Sequence, residues 1–190
     1  MIANVSAFSF GILLSWTAVA GPILTSSENA FKVNNSTFSW IAAMLPLAAA
    51  ISTMFVCWLR NMIGTKNIMM IFGGILTLGW LFITFGNHVW MLMAGRFLAG
   101  LSGGAYCNII PIYIGEISSK EIRGSLLSTF SLFLTLGTVF VYTLGYFATL
   151  MQLNILCGII AVLQTIAFMF LPESPVYLVS LMIILQCRNC

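Results

Sequence analysis

Few residues in this chain could take part in chemistry. Its 190 residues include four carboxylates, one histidine and five cysteines, and no arrangement of them matches a nucleophile with its base, a metal-ligand set or a phosphate-binding loop. Cys187 and Cys190 have the spacing of a metal or redox pair, but no second pair and no neighbouring histidine accompany them, so we interpret them as an unspecialised tail. The sequence therefore predicts neither an enzyme nor a bound cofactor.

The most unusual polar residue is Arg96, which lies inside an apolar run. A guanidinium in a membrane-spanning segment costs about 3 kcal/mol or more. We therefore expect Arg96 to face a helix bundle and to have a carboxylate, carbonyl or water partner. Gly100, Gly104 and Asn108 follow it at four-residue spacing, on one helical face. Small residues in that register indicate a packing seam against another helix, with or without a role in transport.

Six apolar runs hold these residues. With 61% hydrophobic and 6% charged residues and a mean hydropathy of +1.08, the chain does not fit a soluble fold. The runs are continuously apolar, which excludes a β-barrel, and each approaches or exceeds the length of about 20 residues that spans a bilayer. We predict an all-α membrane protein with transmembrane helices at residues 2–24, 39–59, 67–86, 89–114, 125–148 and 152–171.

The basic residues predict the orientation. Arg60 and Lys66 lie between runs two and three, and Lys120 and Arg123 between runs four and five, whereas only Lys32 lies between runs one and two. Because basic loops remain in the cytosol, we expect both termini to be cytosolic. This loop bias also accounts for the net charge of +3, so the charge indicates no nucleic-acid partner.

The same orientation places the segment 26–38 outside the membrane. There Asn34 and Asn35 begin two overlapping acceptor triplets, Asn34-Asn35-Ser36 and Asn35-Ser36-Thr37. Such triplets are N-glycosylation sites when they are exposed outside the cytosol, although they also arise by chance. Glycosylation at Asn34 or Asn35 is therefore an expectation.

Four short motifs lie at the ends of the runs. In chain order they are Gly95-Arg96-Phe97, Pro111-x-Tyr113-x-x-Glu116, Arg123-Gly124 and Pro172-Glu173-Ser174-Pro175. Together they resemble the sugar porter branch of the major facilitator superfamily, and runs two to five are most similar to the animal facilitative trehalose transporters. The resemblance covers about residues 6–179. It implies the amino-terminal six-helix half of such a transporter, built as two three-helix units of opposite topology (a 3+3 inverted repeat).

The resemblance also implies roles for particular residues. In the family, the acid and base of the turn after run four and the acid after run six form a cytosolic ion-pair network that closes the inward gate. By position these are Glu116, Arg123 and Glu173, and we assign Arg96 to the same network. The family's substrate site lies at the midplane between two halves. For lining the pathway we select polar residues of runs one and five, for which ordinary polar packing is the alternative interpretation: Ser15, Trp16, Thr17, Ser128, Ser131 and Thr135.

The chain departs from the family pattern between runs two and three. The family carries Gly-x-x-x-Asp-x-x-Gly-Arg-Lys there, and this chain has Cys57, Asn61 and Thr65 in place of the Gly, Asp and Arg. The charge relay of this turn is therefore neutralised at two positions. We expect a gate that differs from the family's in its charges.

Three further departures affect the substrate site, the gate and the end of the chain. Ser131 stands where sugar porters usually have a hydroxyl-binding Gln, which shortens the reach of that group, and Val176 stands where they usually have Arg. Residues 180–190 do not resemble the family, which continues into six more helices. We expect residues 1–179 to be the family-like domain and residues 180–190 to be a separate tail.

The function that we predict is facilitated movement of trehalose or a hexose by alternating access in the plasma membrane, incomplete without a second half. The expected partners are the sugar substrate, the lipid bilayer and either a second copy of the chain or a full-length porter. The alternative is a non-transporting chain that only associates with full-length porters or inhibits them. An intramembrane enzyme is disfavoured because no catalytic constellation is present.

Overall fold

The computed structural model describes residues 2–25, 34–86, 88–119 and 121–170. These residues form six α-helices: α1 (Ile2–Thr25), α2 (Asn35–Ile63), α3 (Thr65–Thr84), α4 (Val89–Ile117), α5 (Arg123–Phe147) and α6 (Leu150–Met169). All six are long and apolar enough to span a membrane, since 20 helical residues cover about 30 Å. The prediction of six transmembrane helices is confirmed.

Two helices extend further than the hydropathy pattern predicts. α2 begins at Asn35, before its predicted start, and α4 continues past its predicted end to Ile117. Hydropathy marks the depth of the hydrocarbon, whereas a helix continues into the aqueous interface as long as its backbone groups find partners. As a result Arg60 and Glu116, which lie just outside the apolar runs, are still held on helices.

The helices pack in two reciprocal pairs. α1 packs along α5 and α4 packs along α2, while α3 contacts both α4 and α6. The two helices of the α1–α5 pair run parallel to each other: Gly11 of α1 lies against Leu134 of α5, and further along both helices Val19 lies against Gly145. Exchanging the first three helices with the last three relates one pair to the other, as the predicted inverted repeat requires.

The contact between α2 and α4 depends on two glycines. A Cβ atom at Gly104 would lie 2.6 Å from the Cα of Ala49, and one at Gly100 would lie 2.9 Å from the Cα of Leu45. These distances are far shorter than an ordinary carbon–carbon contact of about 3.5–4.0 Å, so only glycine allows the two backbones to approach so closely. The predicted packing seam is present, and α2 is its partner.

The two ends of the bundle differ in composition. At one end, which we name the aromatic end, the exposed side chains at helix termini are Trp40, Phe85, Trp90, Tyr146 and Phe147. The other, which we name the basic end, carries Arg60, Lys66 and Arg123. Aromatic belts mark membrane interfaces, and basic residues collect on the cytosolic side. Of these two features only the basic residues bear on orientation, and they favour the predicted one, with the basic end in the cytosol.

Candidate functional site

Three of the predicted pathway residues lie on the exposed face of α5. Ser128, Ser131 and Thr135 are all exposed, on a helix of which only Gly137 and Val141 are buried. Ser131 and Thr135 lie about 12 and 18 Å along the helix from its start at the basic end, which places Thr135 at the middle of α5.

The hydroxyl groups of this face can accept hydrogen bonds. Ser128 Oγ donates to the carbonyl of Gly124 at 3.0 Å, and Thr135 Oγ1 donates to that of Ser131 at 2.6 Å. A hydroxyl that donates its proton to a carbonyl of its own helix still has lone pairs that can accept a hydrogen bond from another donor. The face therefore offers acceptors to a ligand that carries many hydroxyl protons.

The structure places the predicted pathway residues of α1 differently. Ser15 is buried and donates to the carbonyl of Gly11 at 2.7 Å, and the Trp16 ring is fully buried. Neither residue lies on the exposed face, so the selection of both as lining residues is corrected. Thr17 is half-buried and accepts a hydrogen bond from Arg96 Nη2. The error arose because a run that is apolar throughout carries no periodic signal to show which face is buried.

Arg96 is buried in the bundle, with 1% of its surface exposed. Its Nη1 donates to the carbonyl of Leu13 at 2.9 Å, its Nη2 donates to Thr17 Oγ1, and its guanidinium lies 4.9 Å from the centre of the Trp16 ring. Of the partners expected for Arg96, the structure shows a carbonyl. It adds a hydroxyl group and the face of an aromatic ring. Within the described residues, no carboxylate forms an ion pair with Arg96.

This position separates Arg96 from the gate network to which the sequence assigned it. Arg96 and Glu116 are on the same helix, twenty residues apart, which corresponds to about 30 Å. Moreover, a helix rotates by about 40° beyond a full turn for every four residues, so Arg96 faces α1 while Gly104 faces α2. Arg96 is an interior contact between α1 and α4.

Two further polar contacts join α1 to α6. Trp16 Nε1 donates to Asn154 Oδ1 at 2.6 Å, and Ser9 Oγ donates to Gln164 Oε1. The sequence analysis did not select Ser9, Asn154 or Gln164. The available signal was the presence of Asn154 and Gln164 within the sixth apolar run, since polar groups within a span turn toward protein.

At the basic end, Glu116 forms an ion pair. Arg60 Nη1 lies 3.0 Å from Glu116 Oε1, and Arg123 Nη2 donates to the carbonyl of Gly115 at 2.6 Å. Glu116 and Arg123 thus lie at the same end, as the sequence predicted. Glu173, the third predicted member, lies outside the described residues. The sequence analysis did not select Arg60 as a partner of Glu116, although its position in a basic turn was a signal.

The remaining motif residues have structural positions on α4 and α5. Gly95 packs against Ile83 of α3, Pro111 lies inside α4, Tyr113 is buried and Gly124 lies exposed in the first turn of α5. Pro172, Ser174 and Pro175 lie outside the described residues.

Asn34 and Asn35 mark the start of α2 at the aromatic end. Asn34 precedes the first helical residue and Asn35 is that residue, and both are exposed. Exposure is necessary for glycosylation but does not demonstrate it, so glycosylation at these residues stays a prediction. In the part of the chain that the structure describes, no group of three or more His, Cys, Asp or Glu residues could hold a metal ion.

Residues 6–183 match the family model described as sugar (and other) transporter. The chain is 30% identical over 177 residues to sugar transporter ERD6-like 17 of Arabidopsis thaliana, and 30% identical over 184 residues to glucose transporter type 3 of Drosophila melanogaster. These matches cover 93% and 95% of this chain but 37% and 36% of the relatives. The chain therefore spans little more than a third of the length of either curated relative.

Solved transporter structures share the fold. The partially occluded, inward open xylose transporter XylE from E. coli matches with a TM-score of 0.85 and 18% identity, over 94% of this chain and 49% of that one. The POT family transporter PepTSo matches with a TM-score of 0.75 and 14% identity, over 92% of this chain and 37% of that one. XylE is described as a major facilitator superfamily protein. The predicted fold class, the amino-terminal half of a major facilitator fold, is confirmed.

Proposed function

The chain belongs to the sugar transporter family, and we propose that it forms one half of a facilitator that moves a sugar across the membrane by alternating access. The observation that carries the proposal is the row of exposed hydroxyls on α5, at Ser128, Ser131 and Thr135, which extends from near the basic end to the middle of a membrane-spanning helix. In two-half transporters the substrate binds at the midplane between the halves. A row of exposed hydroxyls that reaches this depth suits one wall of such a substrate pathway.

The proposed substrate is trehalose or a hexose. A sugar presents many hydroxyl donors, and Ser128 and Thr135 retain acceptor lone pairs while their own protons bond within α5. A matched relative is named as a glucose transporter, and XylE has been solved with 6-bromo-6-deoxy-D-glucose bound. Ser131 is a small hydroxyl residue, so we propose that it contacts the sugar through a shorter reach than an amide would have.

The proposed gate lies at the basic end. There Glu116 and Arg123 belong to the ends of α4 and α5 that face each other across a short turn, and we propose that Glu173 joins them. Arg123 is exposed, and ion pairs of exposed groups contribute only about 0–1 kcal/mol each. Such a network would therefore bias the balance between open and closed states more than it would stabilise the fold.

The exposed face of α5 also requires a partner. Besides the hydroxyls, it exposes Leu132, Leu136, Val139 and Tyr142, and a mixed polar and apolar face suits contact with another protein better than contact with lipid alone. We propose that a second six-helix half covers it, supplied by a second copy or by a full-length porter. A chain that covers the pathway of a full-length porter without transporting would act as an inhibitor, which is the second candidate function.

The proposal also concerns orientation and location. We propose that both termini are cytosolic and that the protein lies in the plasma membrane, with Asn34 and Asn35 accessible to glycosylation. The basic residues at one end of the bundle support this orientation.

The test is a flux and binding measurement on the purified chain in liposomes, with labelled trehalose and D-glucose and with L-glucose as the stereochemical control. Thr135→Val should weaken stereoselective binding about 3- to 10-fold, the loss expected for one neutral hydrogen bond. Thr143→Val is the matched control, because Thr143 is also exposed and also donates to the carbonyl four residues before it, at 2.9 Å, but lies about 12 Å nearer the aromatic end.

Saturable flux would indicate that two copies assemble a working transporter. Stereoselective binding without flux would indicate one half of a transporter. The proposal is wrong if trehalose, D-glucose and L-glucose are bound equally by the wild-type chain and by both variants. Reduced uptake by a co-expressed full-length porter, together with no binding by the chain alone, would favour the inhibitor.

A further inference from the structure

α2 and α4 are in contact along one continuous register. Gly104 of α4 lies against Ala49 of α2, and Asn108 Nδ2 donates to Thr53 Oγ1 at 3.1 Å, a pair 55 residues apart. Four residues along α4 therefore correspond to four residues along α2. The two helices run side by side in the same direction toward the basic end.

Two turns further along, this register brings the last turn of α2 beside the last turn of α4. Arg60 Nη1 lies 3.0 Å from Glu116 Oε1, a pair 56 residues apart. The two side chains are 23% and 15% exposed, so both charges are largely withdrawn from water. Salt screens such a pair much less than it screens a pair on an open surface, and removing one partner leaves the other charge poorly compensated.

The pair is linked to a third helix. Glu116 follows Gly115, whose carbonyl accepts a hydrogen bond from Arg123 Nη2 at 2.6 Å. Arg123 is the first residue of α5. The ends of α2, α4 and α5 are therefore tied together at Glu116 and the residue before it.

The turn after α2 keeps the second of the two bases that the resembled family carries there, Lys66, but lacks the first. That position is Thr65, the first residue of α3, which is uncharged and 2% exposed. Arg60 lies on the helix that precedes this turn and is oriented toward α4 by the close contact at Gly104. A cation that meets Glu116 thus comes from the end of α2.

We infer that Arg60 holds the carboxylate of Glu116 in place of a base at residue 65, and that it is a positioning residue of the gate at the basic end. The pair itself stands on the geometry, whereas its role in a gate rests on the proposed function. Movement of α2 relative to α4 would break the contact, so the pair couples the ends of these two helices.

The first test is charge exchange in the purified full chain. Arg60→Glu and Glu116→Arg should each lower the melting temperature by roughly 3–6 °C, and the double variant should recover most of that loss because the opposite charges face each other again. Arg60→Lys should keep most of the melting temperature. Glu121→Lys is the matched control, since Glu121 is an exposed acid at the same end, and it should melt within about 1 °C of the wild type.

The second test measures stereoselective sugar binding, or flux where it occurs, on the same variants in liposomes. Arg60→Glu should change the apparent affinity for the sugar at least threefold. The charge-exchange double variant and Arg60→Lys should both restore the wild-type affinity. A purely structural contact would not change the affinity at temperatures well below melting.

In the melting test, a double variant whose loss of melting temperature equals the sum of the two single losses would show that Arg60 and Glu116 do not form a pair.

The two tests separate the pair from the gate. If melting responds and sugar binding does not, Arg60 is a structural contact and its role in the gate is wrong. If even the wild-type chain shows no stereoselective response, the proposed function fails and the gate role with it, while the charge exchange still decides whether Arg60 holds Glu116.

Discussion

Replacing Gly104 with alanine should force α2 away from α4. The added Cβ atom would lie 2.6 Å from the Cα of Ala49 and 3.0 Å from its carbonyl carbon. Both are backbone atoms and cannot rotate out of the way. Since carbon–carbon contacts are normally about 3.5–4.0 Å, relief of the clash requires the helices to separate by roughly 1 Å or to slide past each other.

The magnitude follows from a comparison with Gly74→Ala. Gly74 lies in α3, and a Cβ atom added there would have no neighbouring atom within 4 Å, so alanine at this position gains about 1 kcal/mol of helix propensity and loses nothing. Gly104→Ala gains the same propensity but incurs an overpacking cost of about 1–3 kcal/mol. The propensity cancels in the difference between the two variants. A difference of about 2 kcal/mol corresponds to roughly 4–8 °C in melting temperature for a chain of this size.

The assay combines melting with a measurement of register. Intrinsic tryptophan fluorescence follows unfolding of the purified chain in detergent. In a cysteine-free background, disulfide formation between Thr53→Cys and Asn108→Cys reports the register of α2 against α4, because Asn108 Nδ2 and Thr53 Oγ1 are 3.1 Å apart in the native chain. We expect Gly104→Ala to slow cross-linking and Gly74→Ala to leave it unchanged. Equal melting temperatures and equal cross-linking rates for the two variants would refute the close contact.

Three other predictions follow from the contacts of Arg96, Trp16 and the start of α2. Arg96→Lys should destabilise the chain by about 1–3 kcal/mol, because one ammonium cannot bond both the Leu13 carbonyl and Thr17 Oγ1 in the geometry of a guanidinium; a melting temperature equal to the wild type would contradict this. Trp16→Phe should cost about 1 kcal/mol by removing the hydrogen bond to Asn154, and a double-mutant cycle with Asn154→Leu should reveal the coupling, whereas strictly additive losses would argue against it. A cysteine at Ser36, exposed in the first turn of α2, should react with an impermeant thiol reagent from outside intact cells, and reaction only after permeabilisation would reverse the orientation.

The sequence predicts the class of protein and the number of helices well because these depend on local properties. Each span must be apolar over about 20 residues and must satisfy its own backbone hydrogen bonds, and both conditions can be judged one run at a time. The motifs around Gly95, Pro111 and Arg123 likewise predicted the family, which the match over residues 6–183 shows. Helix ends were less certain, since α2 and α4 extend beyond the hydrocarbon where hydropathy carries no signal.

The exposure of the candidate site residues was predicted in part. Ser128, Ser131 and Thr135 are exposed as a pathway would require, whereas Trp16 is buried against Asn154 and Arg96. The two groups could not be told apart in advance, because both lie in runs that are apolar on every side. A uniformly apolar run does not indicate which face meets protein and which meets lipid or a pathway.

The sequence by itself determined that this chain crosses a membrane six times, that most basic residues between the runs collect at one end and that Arg96 must have a partner inside the bundle. Only the tertiary structure decided which groups meet: Arg96 with the Leu13 carbonyl, and Arg60 with Glu116. The physical reason is that these partners are 83 and 56 residues apart in the chain. Their meeting depends on the rotation and register of whole helices, which are set by close backbone contacts such as that at Gly104 and not by the polar residues themselves.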